Sequence, residues 1–168
     1  MHNVAAGSTY STIATTTLGS AAASYTFNSI PSTYTDLVLI MTVTQGAGVS
    51  VYCQMGNGSV DTGSNYSYTG LYGNGSSAGS ARASNQTGAY LGYVGSTTIY
   101  NAINHFINYS NTTTYKTIIN RKNQSDQYVE ANVALWRSTA AINTIKIYPQ
   151  SGNFDAGSTF TLYGIAAA

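Results

Sequence analysis

Tyr128–Arg137 reads YVEANVALWR, and its side chains alternate in character along the whole run. One set of alternate residues is apolar and consists of Val129, Ala131, Val133 and Leu135. The other set is mixed and consists of Glu130, Asn132, Ala134 and Trp136. Successive side chains of an extended chain point to opposite sides, so this period of two predicts a β-strand with two chemically different faces.

Segments of the same kind recur along the chain, separated by clusters of Gly, Ser and Asn. β-Branched and aromatic residues are common, whereas Glu, Lys and Leu, which favour helices, are scarce. The further predicted strands are Tyr10–Thr16, Ser24–Ser29, Thr35–Thr44, Val49–Met55, Tyr66–Tyr72, Ala89–Val94, Asn101–Tyr109, Tyr115–Arg121, Thr144–Tyr148 and Thr159–Ile165. Many short strands with such turns predict an all-β fold, an antiparallel, jelly-roll-like β-sandwich of about eight to eleven strands.

Asp36–Val43 differs from the other predicted strands because it is apolar on both faces. One face carries Leu37, Leu39, Met41 and Val43, and the other carries Val38 and Ile40. A strand of this kind is either central in a sandwich or covered on its outside by a neighbour.

The length of 168 residues suits one domain with a single core. We expect residues 24–168 to form this sandwich domain, and residues 1–23 to form either an N-terminal arm or an edge strand. Residues 56–88 are rich in Gly, Ser and Asn. They predict a long surface loop with a small hairpin, and an exposed binding or contact loop is the functional alternative.

Charged residues make up only 7% of the chain, against about 25% in an ordinary soluble domain, and the net charge is +1. This balance excludes a strongly basic surface of the kind that binds nucleic acid or an anionic membrane. A domain with so little charge tends to associate in solution. Either partner subunits cover its surface, or hydroxyl and amide groups keep a secreted, sugar-facing protein soluble. We favour the first explanation.

The residue types that catalysis needs are scarce. The five acidic residues form no local pair of the kind that glycosidases use. His105 lies in phase with Ile103 and Ile107, which favours a buried or interface histidine over a catalytic base. We therefore predict that the protein is not an enzyme and has no catalytic residue, cofactor or metal site. The single cysteine, Cys53, lies in a predicted strand and is expected to be a buried, inert thiol.

Candidate contact residues form two groups. The first group is a concentration of tyrosines in the middle third of the chain: Tyr66, Tyr68, Tyr72, Tyr90, Tyr93 and Tyr100. Tyrosine supplies broad contact area at low entropic cost at interfaces, and ordinary sandwich packing is the alternative. The second group is the cations Lys116, Arg121 and Lys122 on and just after one predicted strand. They form either a solvated strand end or a contact to an acidic patch on a partner.

Two runs near the ends of the chain contain recognisable motifs. Tyr25–Leu39 reads YTFNSIPSTYTDLVL and has the form F-x-x-I-P-x-x-Y-T-x-L. Ile145–Pro149 and Ser151–Ile165 combine a strand, a G-N-F-x-x-G-S loop and a final L-Y-G-I strand. Both runs resemble elements of tailed-bacteriophage virion structural proteins, namely capsid decoration (cement) proteins and related tail β-sandwich domains. The middle of the chain shares only the general strand pattern.

The resemblance implies a capsid decoration protein that binds the outside of the shell and stabilises contacts between major capsid subunits, as a homotrimer. The alternative is a tail-fibre or receptor-binding module that recognises host surface glycans. We expect no attached shaft or coiled coil, which favours the decoration protein. Location on the capsid surface of the virion follows, with no nucleic acid or membrane as partner.

Synthesis in the host cytoplasm is expected because residues 1–23 contain no Lys or Arg and no unbroken apolar run, unlike a secretory signal. No stretch of the sequence approaches the roughly 18 apolar residues that a membrane-spanning helix needs.

Overall fold

The computed structural model describes residues 9–46, 48–95, 99–124 and 126–166. These residues form thirteen β-strands and no helix. The strands are β1 (Tyr10–Thr17), β2 (Tyr25–Phe27), β3 (Asp36–Val43), β4 (Val49–Asn57), β5 (Ser59–Val60), β6 (Tyr66–Gly73), β7 (Ala78–Gln86), β8 (Ala89–Val94), β9 (Tyr100–Ile107), β10 (Lys116–Gln124), β11 (Tyr128–Trp136), β12 (Thr144–Pro149) and β13 (Thr159–Ile165). The predicted all-β antiparallel sandwich is confirmed, with two short or polar strands, β5 and β7, beyond those predicted.

Two antiparallel sheets form the sandwich. The larger sheet has eight strands in the order β1-β13-β3-β9-β10-β11-β6-β7. The smaller sheet has the order β2-β12-β4-β5, and β8 also pairs with β4. Because β13 lies between β1 and β3, strands from both ends of the described chain belong to the same sheet.

The structure differs from the sequence prediction between residues 56 and 88. β6 and β7 form a hairpin with strands of eight and nine residues, where a long loop with a small hairpin was predicted. The pattern of β7 was not recognised because an edge strand with mostly exposed side chains needs no apolar alternation. At the other edge of the sheet, β1 is an edge strand paired with β13, and residues 1–8 lie outside the described residues.

The hydrophobic core lies between the two sheets. Side chains of β3 and β4 with no exposed surface include Leu37, Leu39, Met41, Val51, Cys53 and Met55. Burial of each large apolar side chain contributes about 1.5–3 kcal/mol. β3 lies inside the larger sheet, between β13 and β9, and its second apolar face points outward, where Val38 is 5% and Ile40 39% exposed. The Cys53 thiol is buried, as predicted, and this burial raises its pKa far above the ordinary value.

β11 turns its mixed face towards the core. Its inward residues are at most 8% exposed and are Glu130, Asn132, Ala134 and Trp136. Val129 and Val133 are instead 64% and 48% exposed. The alternation of the sequence predicts two faces without saying which one is buried. The buried amide nitrogens find partners: Asn132 Nδ2 donates to Asn120 Oδ1 at 3.1 Å, and Asn120 Nδ2 donates to the Tyr90 carbonyl at 3.2 Å. Asn132 Oδ1 accepts no hydrogen bond among the described residues.

The loop before β6 is tied to β11 by Asp61. Its Oδ2 accepts hydrogen bonds from Trp136 Nε1 and Asn65 Nδ2, and its Oδ1 accepts one from the Gly63 N–H, all at 2.8 Å. Partial burial tends to raise the pKa of Asp61, but these three hydrogen bonds outweigh it and hold the pKa below its ordinary value. The ionised carboxylate therefore fixes this loop against the sandwich.

Candidate functional site

The face of the larger sheet that points away from the core is apolar at its centre, and we call it the outer face. Seven large hydrophobic side chains with exposures of 37% to 67% lie on it: Ile40, Leu71, Ile103, Ile107, Ile119, Val129 and Val133. They belong to the five adjacent strands β3, β9, β10, β11 and β6. The largest exposed apolar patch of a soluble protein is often functional, which makes the outer face a candidate interaction site.

Strand register places these side chains next to one another. Ile119 on β10 lies directly opposite Val133 on β11. Ile103 on β9 lies directly opposite Ile40 on β3. The Cβ atoms of directly opposite residues are about 4.5–5.5 Å apart. Ile119 lies opposite His105 and is therefore diagonal to Ile103 and Ile107, at about 7–8 Å, which links the two pairs. Leu71 lies opposite Ala131 and is diagonal to Val129 and Val133 in the same way, so the apolar residues form one patch.

Arg121 is an exposed cation inside this patch. It lies opposite Ile103 on one side and Ala131 on the other. No described residue forms an ion pair with its guanidinium. His105 and Asp36 also lie on this face, and His105 Nε2 is 3.0 Å from Asp36 Oδ2. Arg82 on the edge strand β7 lies opposite Thr69 and is a second exposed cation of this face. The centre of the outer face thus combines apolar surface with the unpaired positive charge of Arg121.

A second candidate surface lies beside β8, a strand at the edge of the smaller sheet. β8 pairs with β4 and packs against β11 and β6 of the larger sheet. Beside β8, side chains of both sheets surround a cleft of about 250 Å³, which we call the tyrosine cleft. Its lining consists of Tyr68, Tyr72, Ala81, Tyr90, Tyr93, Lys122, Tyr128 and Glu130.

A buried ion pair lines this cleft. Lys122 lies directly opposite Glu130 in the β10–β11 pairing, and Lys122 Nζ is 2.5 Å from Glu130 Oε2. The side chains are only 1% and 8% exposed. Lys122 Nζ also donates to the Tyr93 carbonyl at 2.7 Å, and Glu130 Oε1 accepts from Asn132 Nδ2 at 2.9 Å. Burial lowers the pKa of Lys122, and the Glu130 carboxylate opposes that change.

Gly92 makes room for the lysine beneath β8. A Cβ atom at position 92 would lie 2.4 Å from Lys122 Cδ, and the backbone there has a φ of +133°. The β4–β8 pairing is irregular at this point, between Val51 and Tyr52. A glycine in this bulge therefore allows the Lys122 side chain to pass under the edge strand.

Tyrosine rings form the walls of the cleft. Tyr68 and Tyr90 stack with ring centroids 4.6 Å apart. Lys122 Nζ lies 5.8 Å from the Tyr93 ring centroid and 5.7 Å from that of Tyr128. Burial raises the pKa of both Tyr68 and Tyr90, with the nearby Glu130 charge adding to the effect. Their hydroxyl groups therefore remain protonated hydrogen-bond donors at neutral pH.

No family model and no curated protein matches this chain. Among solved structures, the sucrose-6-phosphate hydrolase from Lactobacillus gasseri is 12% identical with a TM-score of 0.38. That alignment covers 86% of this chain, which spans only 28% of the hydrolase chain. An alginate lyase mutant in complex with alginate trisaccharide is 10% identical with a TM-score of 0.34, over 90% of this chain and 80% of that one. Both similarities are too weak to assign a family or a function.

The structure brings five of the nine candidate contact residues together. These are the cleft residues Tyr68, Tyr72, Tyr90, Tyr93 and Lys122. Lys122 was considered as part of a solvated strand end, but its side chain is buried in the pair with Glu130. Arg121, its neighbour in sequence, points to the opposite side of the same strand and lies on the outer face.

The other three candidates are buried and unavailable for contact with a partner. Tyr66 and Tyr100 have no exposed surface, and Lys116 has 1%. The hydroxyl groups of both tyrosines donate to backbone carbonyls at 2.8 Å, and Lys116 Nζ donates to two carbonyls at 2.8 and 3.2 Å. Their polar atoms are thus satisfied inside the fold, so packing accounts for these three positions.

The sequence analysis did not identify Glu130, Tyr128 or the seven apolar side chains of the outer face as contact residues. The sequence does contain a signal for the ion pair, because β10 and β11 are joined by a short connection that pairs Lys122 with Glu130 across the hairpin. The apolar alternation of Tyr128–Arg137 identified Val129 and Val133 as one face, but it gave no reason to place that face outside.

Among the described residues, no group of three or more His, Cys, Asp or Glu side chains could hold a metal ion. Within the same part of the chain, no helix is long and apolar enough to cross a membrane.

Proposed function

We propose that this chain is a capsid decoration protein, which binds the outside of a bacteriophage shell and stabilises contacts between major capsid subunits. The observation that carries the proposal is the outer face, where Arg121 lies within a patch of seven exposed hydrophobic side chains. Arginine within apolar surface is typical of the residues that dominate protein interfaces. The resemblance of the two chain ends to virion proteins supports the same conclusion.

The size of the outer face favours a repeated, multivalent contact over a stable dimer of this chain. Five strands spaced about 4.8 Å apart and about six residues of each strand give roughly 20 Å by 20 Å. This is about 400 Å², or half of the roughly 800 Å² that each partner buries in an ordinary stable interface. A homotrimer would present three such faces to the shell together, and linked weak contacts give strong overall binding.

The outer face requires a complementary surface on the major capsid protein. That surface is apolar and carries a carboxylate that faces Arg121. The role is binding without catalysis, on the capsid surface of the virion, after synthesis in the host cytoplasm.

The number of copies in the virion tests the proposal. Quantitative mass spectrometry of purified virions, separated into heads and tails, should find this protein with the heads, in copy number comparable to the major capsid protein. Deletion of its gene should lower the temperature at which the capsid breaks, without loss of adsorption to the host. A few copies that fractionate with the tail would contradict the proposal and favour a receptor-binding module.

A further inference from the structure

We infer that the tyrosine cleft binds a neutral pyranose residue of a glycan. This binding site lies on a different surface from the outer face, so the inference goes beyond the proposed function and does not rest on it. The aromatic walls of the cleft, its polar groups and its charge balance support this ligand.

The walls offer flat aromatic surface at the scale of a single sugar ring. The cleft volume of about 250 Å³ lies just below the range of about 300–1,000 Å³ for pockets that hold drug-sized ligands. Tyr72 and Tyr93 are 39% and 36% exposed, so their rings are accessible to solvent. A pyranose presents C–H groups on its faces, and these groups pack against the negative face of an aromatic ring.

The polar groups of the cleft match a sugar hydroxyl. A lysine ammonium has three N–H donors, and among the described residues two partners of Lys122 Nζ are present, Glu130 and the Tyr93 carbonyl. A carboxylate offers about four acceptor positions, and Glu130 has three described partners: Lys122, Asn132 and Tyr90. Lys122 Nζ also lies 5.7–5.8 Å from the ring centroids of Tyr93, Tyr100 and Tyr128, so this buried pair is saturated by the protein. The groups that a sugar hydroxyl can reach are the hydroxyls of the exposed Tyr72 and Tyr93, which both donate and accept.

The charge balance selects a neutral sugar over an acidic one. Glu130 already neutralises Lys122 at 2.5 Å, so the cleft has no unpaired positive charge for a uronate carboxylate. A carboxylate brought beside Glu130 would be repelled by it. A cationic ligand would be repelled by the Lys122 ammonium in the same way. The bound sugar is therefore uncharged.

The aromatic surface continues beyond the cleft, which indicates an oligosaccharide. Tyr90 contacts Tyr52 with ring centroids 5.6 Å apart, and Tyr52 stacks on Tyr148 at 6.0 Å. Tyr52 and Tyr148 line an adjacent cleft of about 260 Å³ together with Gln86 and Gln150. Two neighbouring clefts, each with room for about one ring, suit consecutive residues of one glycan chain.

Titration of the whole protein with defined hexasaccharides tests the inference. The probes are maltohexaose, cellohexaose and mannohexaose as neutral glycans, and hexagalacturonate as the acidic one, followed by calorimetry and saturation-transfer NMR. At least one neutral probe should bind, more tightly than its monosaccharide and than hexagalacturonate. Tyr68→Ala and Tyr93→Ala should each weaken binding about tenfold, whereas Tyr93→Phe should retain most of it, because the ring supplies the contact.

Tyr115→Ala is the matched control. Tyr115 is 55% exposed and lies before the opposite end of β10, so its removal should leave sugar binding unchanged. The inference is overturned if no neutral hexasaccharide binds, if Tyr93→Ala binds like the parent protein, or if hexagalacturonate is preferred. Tyr93→Ala should still associate with shells, so failure of sugar binding and failure of shell binding are separate results.

Discussion

Replacement of Glu130 by glutamine should destabilise the protein by about 3–5 kcal/mol, because it leaves the Lys122 ammonium buried without a counter-charge. Lys122→Met should cost a similar amount, since the Glu130 carboxylate then lacks its cation. The two groups are 1% and 8% exposed and 2.5 Å apart, so water cannot replace the missing partner at low cost. This is the largest effect of a single substitution that we expect.

The double variant Lys122→Met/Glu130→Leu should be far more stable than either single variant. Apolar replacement of a buried ion pair is often neutral, or stabilising by about 1–4 kcal/mol. Urea unfolding can be followed by the fluorescence of Trp136, the only tryptophan and 2% exposed. Additive losses in the double variant, or single losses below about 1 kcal/mol as for an exposed pair, would contradict the buried ion pair.

The stability of Glu130→Gln as a function of pH is a second test of the buried ion pair. Burial lowers the pKa of Lys122, and loss of Glu130 removes the charge that opposes this shift. The unfolded state then binds more protons than the folded state between the two pKa values of Lys122, so stability rises with pH across that interval. Glu130→Gln should therefore recover stability at alkaline pH, unlike Lys122→Met.

Ile119→Lys should weaken association with the shell by at least about 30-fold, the equivalent of 2 kcal/mol or more for a central interface residue. Ile119 is 44% exposed and lies opposite Val133 in the middle of the outer face. A lysine there places a charge among apolar side chains and adds to the positive charge of Arg121. Binding is measured by sedimentation of the purified protein with shells that lack it.

Ile99→Lys is the matched control for this substitution. Ile99 is 57% exposed and precedes β9, four residues before Ile103 and therefore beyond the end of the apolar patch. Both variants change an exposed isoleucine, so each should change the free energy of unfolding by less than about 1 kcal/mol. Equal shell binding by Ile119→Lys and Ile99→Lys would show that the outer face does not bind the shell.

The sequence predicts the sandwich because strand alternation is a local property. Tyr128–Arg137 and Asp36–Val43 carry it clearly, and both are strands in the structure. Ala78–Gln86 escaped prediction because its nine residues are small or polar and it forms the sheet edge. An edge strand is held by backbone hydrogen bonds on one side, and these do not require an alternation of apolar and polar side chains.

The candidate sites were only partly predictable because both depend on which faces the sheets bury. Tyr68 and Tyr90 come from different sheets and meet only after β8 packs on β6. Tyr66 is two residues from Tyr68 in sequence, yet it is a core residue. Lys122 and Arg121 are adjacent, and their separation into an ion pair and an outer-face cation follows from strand alternation once the buried side is known.

Maleimide labelling of a Val133→Cys variant tests the proposed coverage of the outer face most directly. The only native cysteine, Cys53, has no exposed surface, so the introduced thiol reacts selectively. Val133 is 48% exposed, and labelling should be rapid in the free protein and strongly slowed in the virion. Gln150→Cys, on the smaller sheet side, should react equally in both. Labelling of Val133→Cys in the virion as fast as in the free protein would contradict the account.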